Sequence, residues 1–463
     1  MSKKKKILLL SDDMRMSSGI ATMSKALVMG TLNEYDWFQV GAAIKHPDKG
    51  KVLDLSVDMQ KRTGVEDASV KILPWNGYGN ADLLRQIMNS EKPDAILHFT
   101  DPRYWTWLYD MEHEIRETCP ILYYTIWDDL PDPLYNRNYY ESCDWLGAIS
   151  RQTYGIVSRL TSLTDKPTWK PHSDWQVAYV PHGINENEFK PTDVPSDFRN
   201  KILAGKDYDF VFFWSNRNIR RKQPSDVIMA FKEFCDKIGK DKASKAVLLM
   251  HTTPSDNNGT DLPKVAETLA PDCNVVFSTA KLSTDQLNLL YNMADCTVNI
   301  AGNEGFGLTT AESVMAGTPI IVNVTGGLQD QCGFKKKSDG KYFTADDYIK
   351  IGSLHKWRDW EDKVTWGEWA TPIWSRAQSL TGSVPTPYIW DDKIDVTELS
   401  EKMEKVYNTP TEELNKNGLE GRRAFIEDMG LSQSNMCQQL INGVESTFKN
   451  FKPRKRYELF KIA

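Results

Sequence analysis

Short apolar runs separated by segments of helical spacing limit what this chain can fold into. KKILLLS (5–11) is followed by FQVGAAI (38–44), VKILPW (70–75), DAILHFT (94–100) and PILYYTIW (120–127). Each has the length of a strand, and several are apolar at successive positions, as strands buried on both faces are. Between them lie segments such as ADLLRQIMNS (81–90), whose apolar residues fall on one helical face. Strands alternating with helices form parallel sheets, because each parallel pair needs a crossover. The pattern then breaks at YVPHGINENEFKP (179–191), a connector containing Pro and Gly, and restarts. DFVFFWS (209–215), KAVLLMH (245–251), NVVFS (274–278), CTVNI (296–300) and PIIVNV (319–324) make a second series, with helices expected over 224–239, 283–294 and 308–316.

A length of 463 residues is also too great for one ordinary core. The predicted fold is α/β, with two Rossmann-like domains facing across an interdomain cleft. The expected divisions are 1–190, 200–445 and a basic tail, 446–463. Residues 328–390 break the rhythm. They hold Trp357, Trp360, Trp366, Trp369, Trp374 and Trp390, and read as an insertion in the second domain. The tryptophans suit either a small hydrophobic subcore or a binding surface.

Composition narrows the function classes. Fifty-seven basic and 63 acidic residues leave a net charge of -6, which gives no global attraction to nucleic acid or anionic lipid. Local basic clusters stand at 3–6, 217–222, 335–337 and 452–456. Seven scattered cysteines without a CxxC pair fit a reducing compartment and argue against structural zinc. ILLL is too short for a signal segment and no run reaches transmembrane length, so a cytoplasmic protein without a membrane span is expected.

The densest chemistry lies in NEGFGLTTAESVMAGTPIIVNVTGG (303–327). The strand CTVNI leads into a loop at the carboxyl edge of the sheet, where ligands of such folds sit. Gly305 and Gly307 let the backbone approach a ligand, and the helix expected from Leu308 or Thr309 offers free N–H groups to a diphosphate. Glu312, one turn inside, is placed to accept two hydrogen bonds from a ribose diol. Glu304 is left to hold hydroxyls of a sugar beyond the phosphate. Two acids with seven residues between them would alone read as surface acids favoured near a helix start. The strand, EGFG turn, helix, Gly-Thr-Pro stop and second strand together make the nucleotide-sugar reading the better one.

Residues 303–327 resemble the donor-site signature of the GT-B retaining glycosyltransferases, the glycogen-synthase-like and sucrose-synthase-like group (family 4-like). VPHGINENEFKP resembles the interdomain connector of that family, and FFWSNRNIRRKQP its arginine and lysine segment. The resemblance covers most of 1–330 and resumes at about 388–445. Gln223 departs from it, standing where the family has Gly after the Lys. GSVPTPYIWDD resembles glycosyltransferase-like proteins of large tailed phages.

The resemblance implies an N-terminal acceptor domain, a C-terminal donor domain and a UDP-sugar donor. It assigns Gly305, Phe306, Gly307 and Leu308 to the donor loop, and Gly19 to a glycine loop after the first strand. Arg217 and Lys222 would neutralise the leaving diphosphate, with Arg220 or Arg221 able to replace either. His98 would touch the donor sugar. Asp101, Asp128 or Asp129 would orient or deprotonate the acceptor hydroxyl, or serve as caps and turn residues. His182, in the connector, reads as structural.

The Asp207–Asp209 pair precedes a strand instead of ending one, so no required metal and no cofactor are expected. Two other classes compete. One is a non-catalytic nucleotide-sugar or glycan binder. The other is a phosphorylase-like relative, for which no pyridoxal lysine signature can be placed. The phage-like phrase suggests a viral enzyme in the host cytoplasm acting on hydroxymethylated pyrimidine in double-stranded DNA, with Lys335, Lys336, Lys337, Arg454, Lys455 and Arg456 on phosphates. The net acidity counts against this, and a polysaccharide or surface glycan is the alternative acceptor.

Overall fold

The computed structural model describes residues 3–164, 171–353 and 357–454. Two sheets organise them. The first contains β1 (Lys5–Asp12), β2 (Tyr35–Ala42), β3 (Leu53–Asp54), β4 (Val70–Pro74), β5 (Ala95–Phe99), β6 (Ile121–Thr125), β7 (Trp145–Ala148) and β8 (Val177–Tyr179). Their order is β3-β4-β2-β1-β5-β6-β7-β8, parallel throughout except for the short β3. Leu8 and Leu9 are fully buried, as a central strand covered on both faces requires.

The second sheet contains β9 (Phe210–Ser215), β10 (Ala246–His251), β11 (Val275–Ser278), β12 (Cys296–Asn299) and β13 (Ile320–Asn323). After the two-stranded β14 (Lys335–Lys336) and β15 (Val364–Thr365), the chain returns as β16 (Ala370–Ile373). The order is β11-β10-β9-β12-β13-β16, all parallel. Strand order reverses between β1 and β5 in one sheet and between β9 and β12 in the other. These reversals open the crevices in which such folds bind ligands.

The segment 328–390 departs from the insertion expected of it. Trp369 and Trp374 flank β16, which pairs with β13, and both indoles are buried. Gly333, Gly367 and Gly421 all abut the Trp369 ring, so no side chain fits at those positions. Trp366 is 36% exposed. Beyond β16, β17 (Ala377–Ser383) and β18 (Thr386–Lys393) form an antiparallel hairpin separate from both main sheets.

The final helix, Gln433–Asn450, follows the second domain in the chain, but it packs on the first. A Cβ on Gly443 would overlap the Trp145 indole, and the Tyr35 hydroxyl donates to Glu445 Oε1 at 2.8 Å. The chain therefore crosses between the domains twice. The crossings lie side by side: Ile184 N–H donates to Leu431 O and Gln433 N–H to Ile184 O, both at 2.9 Å.

Candidate functional site

β12 leads into the loop 300–307, and the helix Leu308–Ala316 follows. Gly307 precedes it at φ 88° and Gly317 ends it at φ 92°, conformations that favour glycine. No side chain caps the start of this helix, so its first N–H groups are available to an anion. Gly327 N–H donates to Glu304 O at 2.9 Å, and Gly326 and Gly327 lie too close to the loop to carry a Cβ. The VTGG phrase thus buttresses the EGFG loop. Phe306 is buried against the His182 ring, centroids 5.4 Å apart, and His182 Nδ1 lies 2.8 Å from the Tyr124 hydroxyl. The first domain faces this loop directly. A Cβ on Gly305 would sit 3.2 Å from Ile149 Cδ1, and one on Gly19 would sit 3.3 Å from Leu308 Cδ1. Gly19 begins the helix Gly19–Gly30, so two helix starts converge on the cleft.

Lys222 pairs with Glu304 through Nζ and Oε2, both side chains largely buried. Burial and the adjacent Arg221 pull the Lys222 pKa down, and Asp128 opposes them. Arg221 Nη1 donates to Asn303 O at 2.5 Å. Arg217 lies elsewhere: its side chain is 65% exposed and turns to Asp256 at 3.5 Å. The arginine beside Lys222 and the donor loop is therefore Arg221, one of the two replacements the crowded sequence allowed. Gln223 adopts φ 50°, the conformation for which a glycine is suited. Its amide offsets the strain by donating to Ile300 O at 2.9 Å and Asp392 O at 3.1 Å.

Glu312 is buried and accepts from the Tyr291 hydroxyl at 2.6 Å. Burial raises its pKa to about 7, against the lowering by that hydrogen bond.

The first-domain candidates separate. Burial raises the Asp128 pKa, and Arg221 and then Lys222 oppose it, so Asp128 faces the cations of the donor domain. Asp129 is pushed well above the usual carboxylate range, by burial first and by Asp128 second. Asp101 caps the turn Pro102–Tyr104 and grips Arg103, with Nε to Oδ1 at 2.9 Å. His98 is not brought to the cleft. It is fully buried, stacked on Tyr123 at 4.9 Å, with Nδ1 2.7 Å from the Tyr109 hydroxyl and no partner for Nε2. Burial lowers its pKa to about 3. The alternation of β5 turns residue 98 into the layer between sheet and helices, a direction that chain position alone does not reveal.

The β17–β18 hairpin is a component the sequence reading missed. Asp128, Asp129, Asn303, Gln378, Trp390 and Asp392 line a small polar cavity of about 10 Å³, room for about one water, where this hairpin meets both domains. The basic clusters are largely engaged. Lys4 pairs with Asp67, Lys5 with Asp94, Lys6 with Glu91, Lys336 with Asp347 and Arg454 with Glu112. Lys335 lies 4.4 Å from the Tyr342 ring centroid. Lys455 and Arg456 fall outside the described residues. Among the described residues no group of His, Cys, Asp or Glu is arranged to hold a metal, and no helix is long and apolar enough to cross a membrane.

Residues 196–341 match the family model described as glycosyl transferases group 1. No curated protein matches the chain. Solved structures do. HepE of Anabaena, in complex with UDP and glucose, superposes with a TM-score of 0.60 at 12% identity, covering 96% of this chain and 100% of that one. Sucrose-phosphate synthase of Thermosynechococcus elongatus gives 0.64 at 14% identity, with 96% and 100% covered. The UDP-forming trehalose-phosphate synthase of Burkholderia vietnamiensis gives 0.61 at 11% identity, with 97% and 99% covered. At these identities the likeness is one of fold, and the fold is GT-B.

Proposed function

We propose that this chain, which carries a glycosyltransferase group 1 domain on a GT-B fold, is a retaining enzyme that moves a sugar from a UDP-sugar to a hydroxyl acceptor. One observation carries the reading: the Lys222–Glu304 pair and the facing helix starts at Gly19 and Leu308 occupy the crevice between the two sheets. The UDP and UDP-sugar ligands named for similar structures support the choice of donor.

In this reading the donor diphosphate lies against the free N–H groups at Leu308, with Lys222 and Arg221 neutralising the charge that grows as it leaves. Glu312 accepts from the ribose diol. Glu304 exchanges its lysine partner for hydroxyls of the transferred sugar while remaining beside the cation. Asp128 and Asp129 orient the acceptor hydroxyl, which attacks the anomeric carbon on the face that the diphosphate vacates. The departing phosphate oxygen takes the hydroxyl proton. Protein closure excludes water, which would otherwise compete as acceptor.

For the acceptor we take a carbohydrate hydroxyl over the hydroxymethyl group of a DNA pyrimidine. Of the cations offered to phosphates, Lys336 and Arg454 are already paired with acids, and acids line the contact between hairpin and cleft. The test is UDP release from a panel of UDP-sugars with saccharides and hydroxymethylcytosine duplexes as acceptors, followed by NMR of the product's anomeric configuration. Release with retained configuration is expected. An inverted product would remove the retaining assignment, and absence of release with every pair would remove the enzyme reading.

A further inference from the structure

Gln223 closes the basic turn Arg220–Lys222 at φ 50° and ψ 46°, a left-handed conformation that suits glycine and strains a residue with a Cβ. Its side chain is buried, and both hydrogens of the amide nitrogen are used: Nε2 donates to Ile300 O at 2.9 Å and to Asp392 O at 3.1 Å. Carbonyl oxygens only accept, so the nitrogen end of the carboxamide must face them. One planar group therefore ties three segments: the turn that carries Lys222, the loop that carries Glu304, and strand β18.

Backbone bonds stitch the same three together. Gly302 N–H donates to Arg221 O at 2.8 Å, and Asp392 N–H donates to Gly302 O at 3.2 Å. A Cβ on Gly302 would overlap Asp391 Oδ1 and Asp392 O and sit 3.2 Å from Gln223 Nε2, so the junction is closely packed. The hairpin is also fastened to the first domain. Trp390 N–H donates to Leu130 O at 2.7 Å, the Tyr388 hydroxyl to Asp132 O at 3.2 Å, and the Tyr135 hydroxyl to Tyr388 O at 2.9 Å. Asp128 and Asp129 stand just before that stretch. A path of hydrogen bonds to main-chain oxygens thus runs from the Lys222–Glu304 pair through Gln223 and the hairpin to the facing carboxyls.

We infer that Gln223 is a positioning residue for the transfer: it sets the Lys222–Glu304 pair against the hairpin, and through the hairpin against Asp128 and Asp129 of the other domain. This rests on the glycosyltransferase reading above. Glycine at position 223 would relax the backbone and release both carbonyls. Methionine, of similar length, would keep the strain and release them too. Neither change touches the helix start at Leu308 or Glu312, so the contacts proposed for the nucleotide stay intact. A residue that only stabilised the fold would show its loss in unfolding and in UDP affinity. A positioning residue shows it in kcat.

The test measures UDP release by the full chain, with the UDP-sugar and saccharide selected by the donor and acceptor panel. Gln223→Gly and Gln223→Met should each lower kcat by about tenfold or more, because small displacements of reacting groups cost rates of that order. Donor KM and calorimetric UDP affinity should stay within about threefold. Hydrogen exchange gives a readout that does not require turnover: amides of 300–304 and 390–393 should exchange about fivefold faster in either variant, and those of 308–316 as in the wild type. Tyr388→Phe, which frees Asp132 O from the hairpin, should also lower kcat, and combined with Gln223→Gly should cost less than the product of the single losses. Val384→Ser, at the exposed hairpin tip, should leave kcat within about twofold. Wild-type kcat or unchanged exchange in Gln223→Gly, a loss confined to UDP affinity, or single losses that multiply overturns this inference while UDP release leaves the glycosyltransferase reading intact. Absence of UDP release by the wild type with every pair overturns both.

Discussion

Gly19 and Leu308, the first residues of two helices in different domains, stand so close that a Cβ on Gly19 would lie 3.3 Å from Leu308 Cδ1. A methyl group there needs only a small shift of a flexible leucine, so Gly19→Ala should keep UDP affinity within threefold. Gly19→Val must separate the helix starts, and should weaken UDP binding at least tenfold by calorimetry.

The three cations near the donor loop should rank by position. Lys222→Ala should cost about 100-fold or more in turnover, the scale of a lost electrostatic donor. Leaving Glu304 buried without its partner should also destabilise the fold by about 3 kcal/mol. Arg221→Ala should cost less, and Arg217→Ala, exposed beside Asp256, least. Equal losses from Arg217 and Lys222 in single-turnover assays would mean that Arg217 swings into the cleft when the donor binds.

Glu312 carries a pH signature. Its pKa is raised to about 7 by burial, so the carboxylate that a ribose diol requires fills only as pH rises through that value. UDP affinity should climb between about pH 6 and 8, and Glu312→Gln should flatten the climb. Stability should move the opposite way. The folded state holds the proton that the unfolded carboxyl gives up at its ordinary value of 4.5, so this group's contribution falls as pH rises from there through 7. A flat affinity profile in the wild type would remove the ribose role.

His98 should behave as a core residue. His98→Ala should cost about 2–4 kcal/mol in denaturant unfolding, the range for large buried side chains, without a specific change in donor KM. Its pKa, lowered to about 3 by burial, adds an acid dependence. The unfolded imidazole takes a proton below 6.5 and the folded one does not, so stability falls as pH drops from 6.5 toward 3.

Turnover should survive EDTA, because the proposed mechanism assigns charge neutralisation to Lys222, Arg221 and a helix start. Loss in chelator with recovery in manganese would return attention to Asp207 and Asp209.

Much of this molecule is legible in the chain itself. The apolar runs become parallel strands, and the EGFG phrase becomes a loop and helix ending at Gly317, because periodicity and glycine chemistry are local properties. What the chain hides is direction and long-range contact. His98 lies on a correctly located strand, yet which way it turns depends on the layer above it. Arg217 and Arg221 differ only in which acid or carbonyl each meets after folding. β16 is concealed because ATPI between two tryptophans is too short and too mixed to show a period. The C-terminal helix gives its amphipathic pattern freely, but the Trp145 surface that receives it lies almost 300 residues earlier.

The paired crossings at Ile184 and Ser432 have a mechanical consequence. One strand between two bodies permits bending and twisting alike. Two strands laid alongside and bonded to each other resist relative twist more than one strand does, so a joint of this build favours a swing about their common line over a turn across it. The spacing of Gly19 from Leu308 would then be set by the angle of that swing alone.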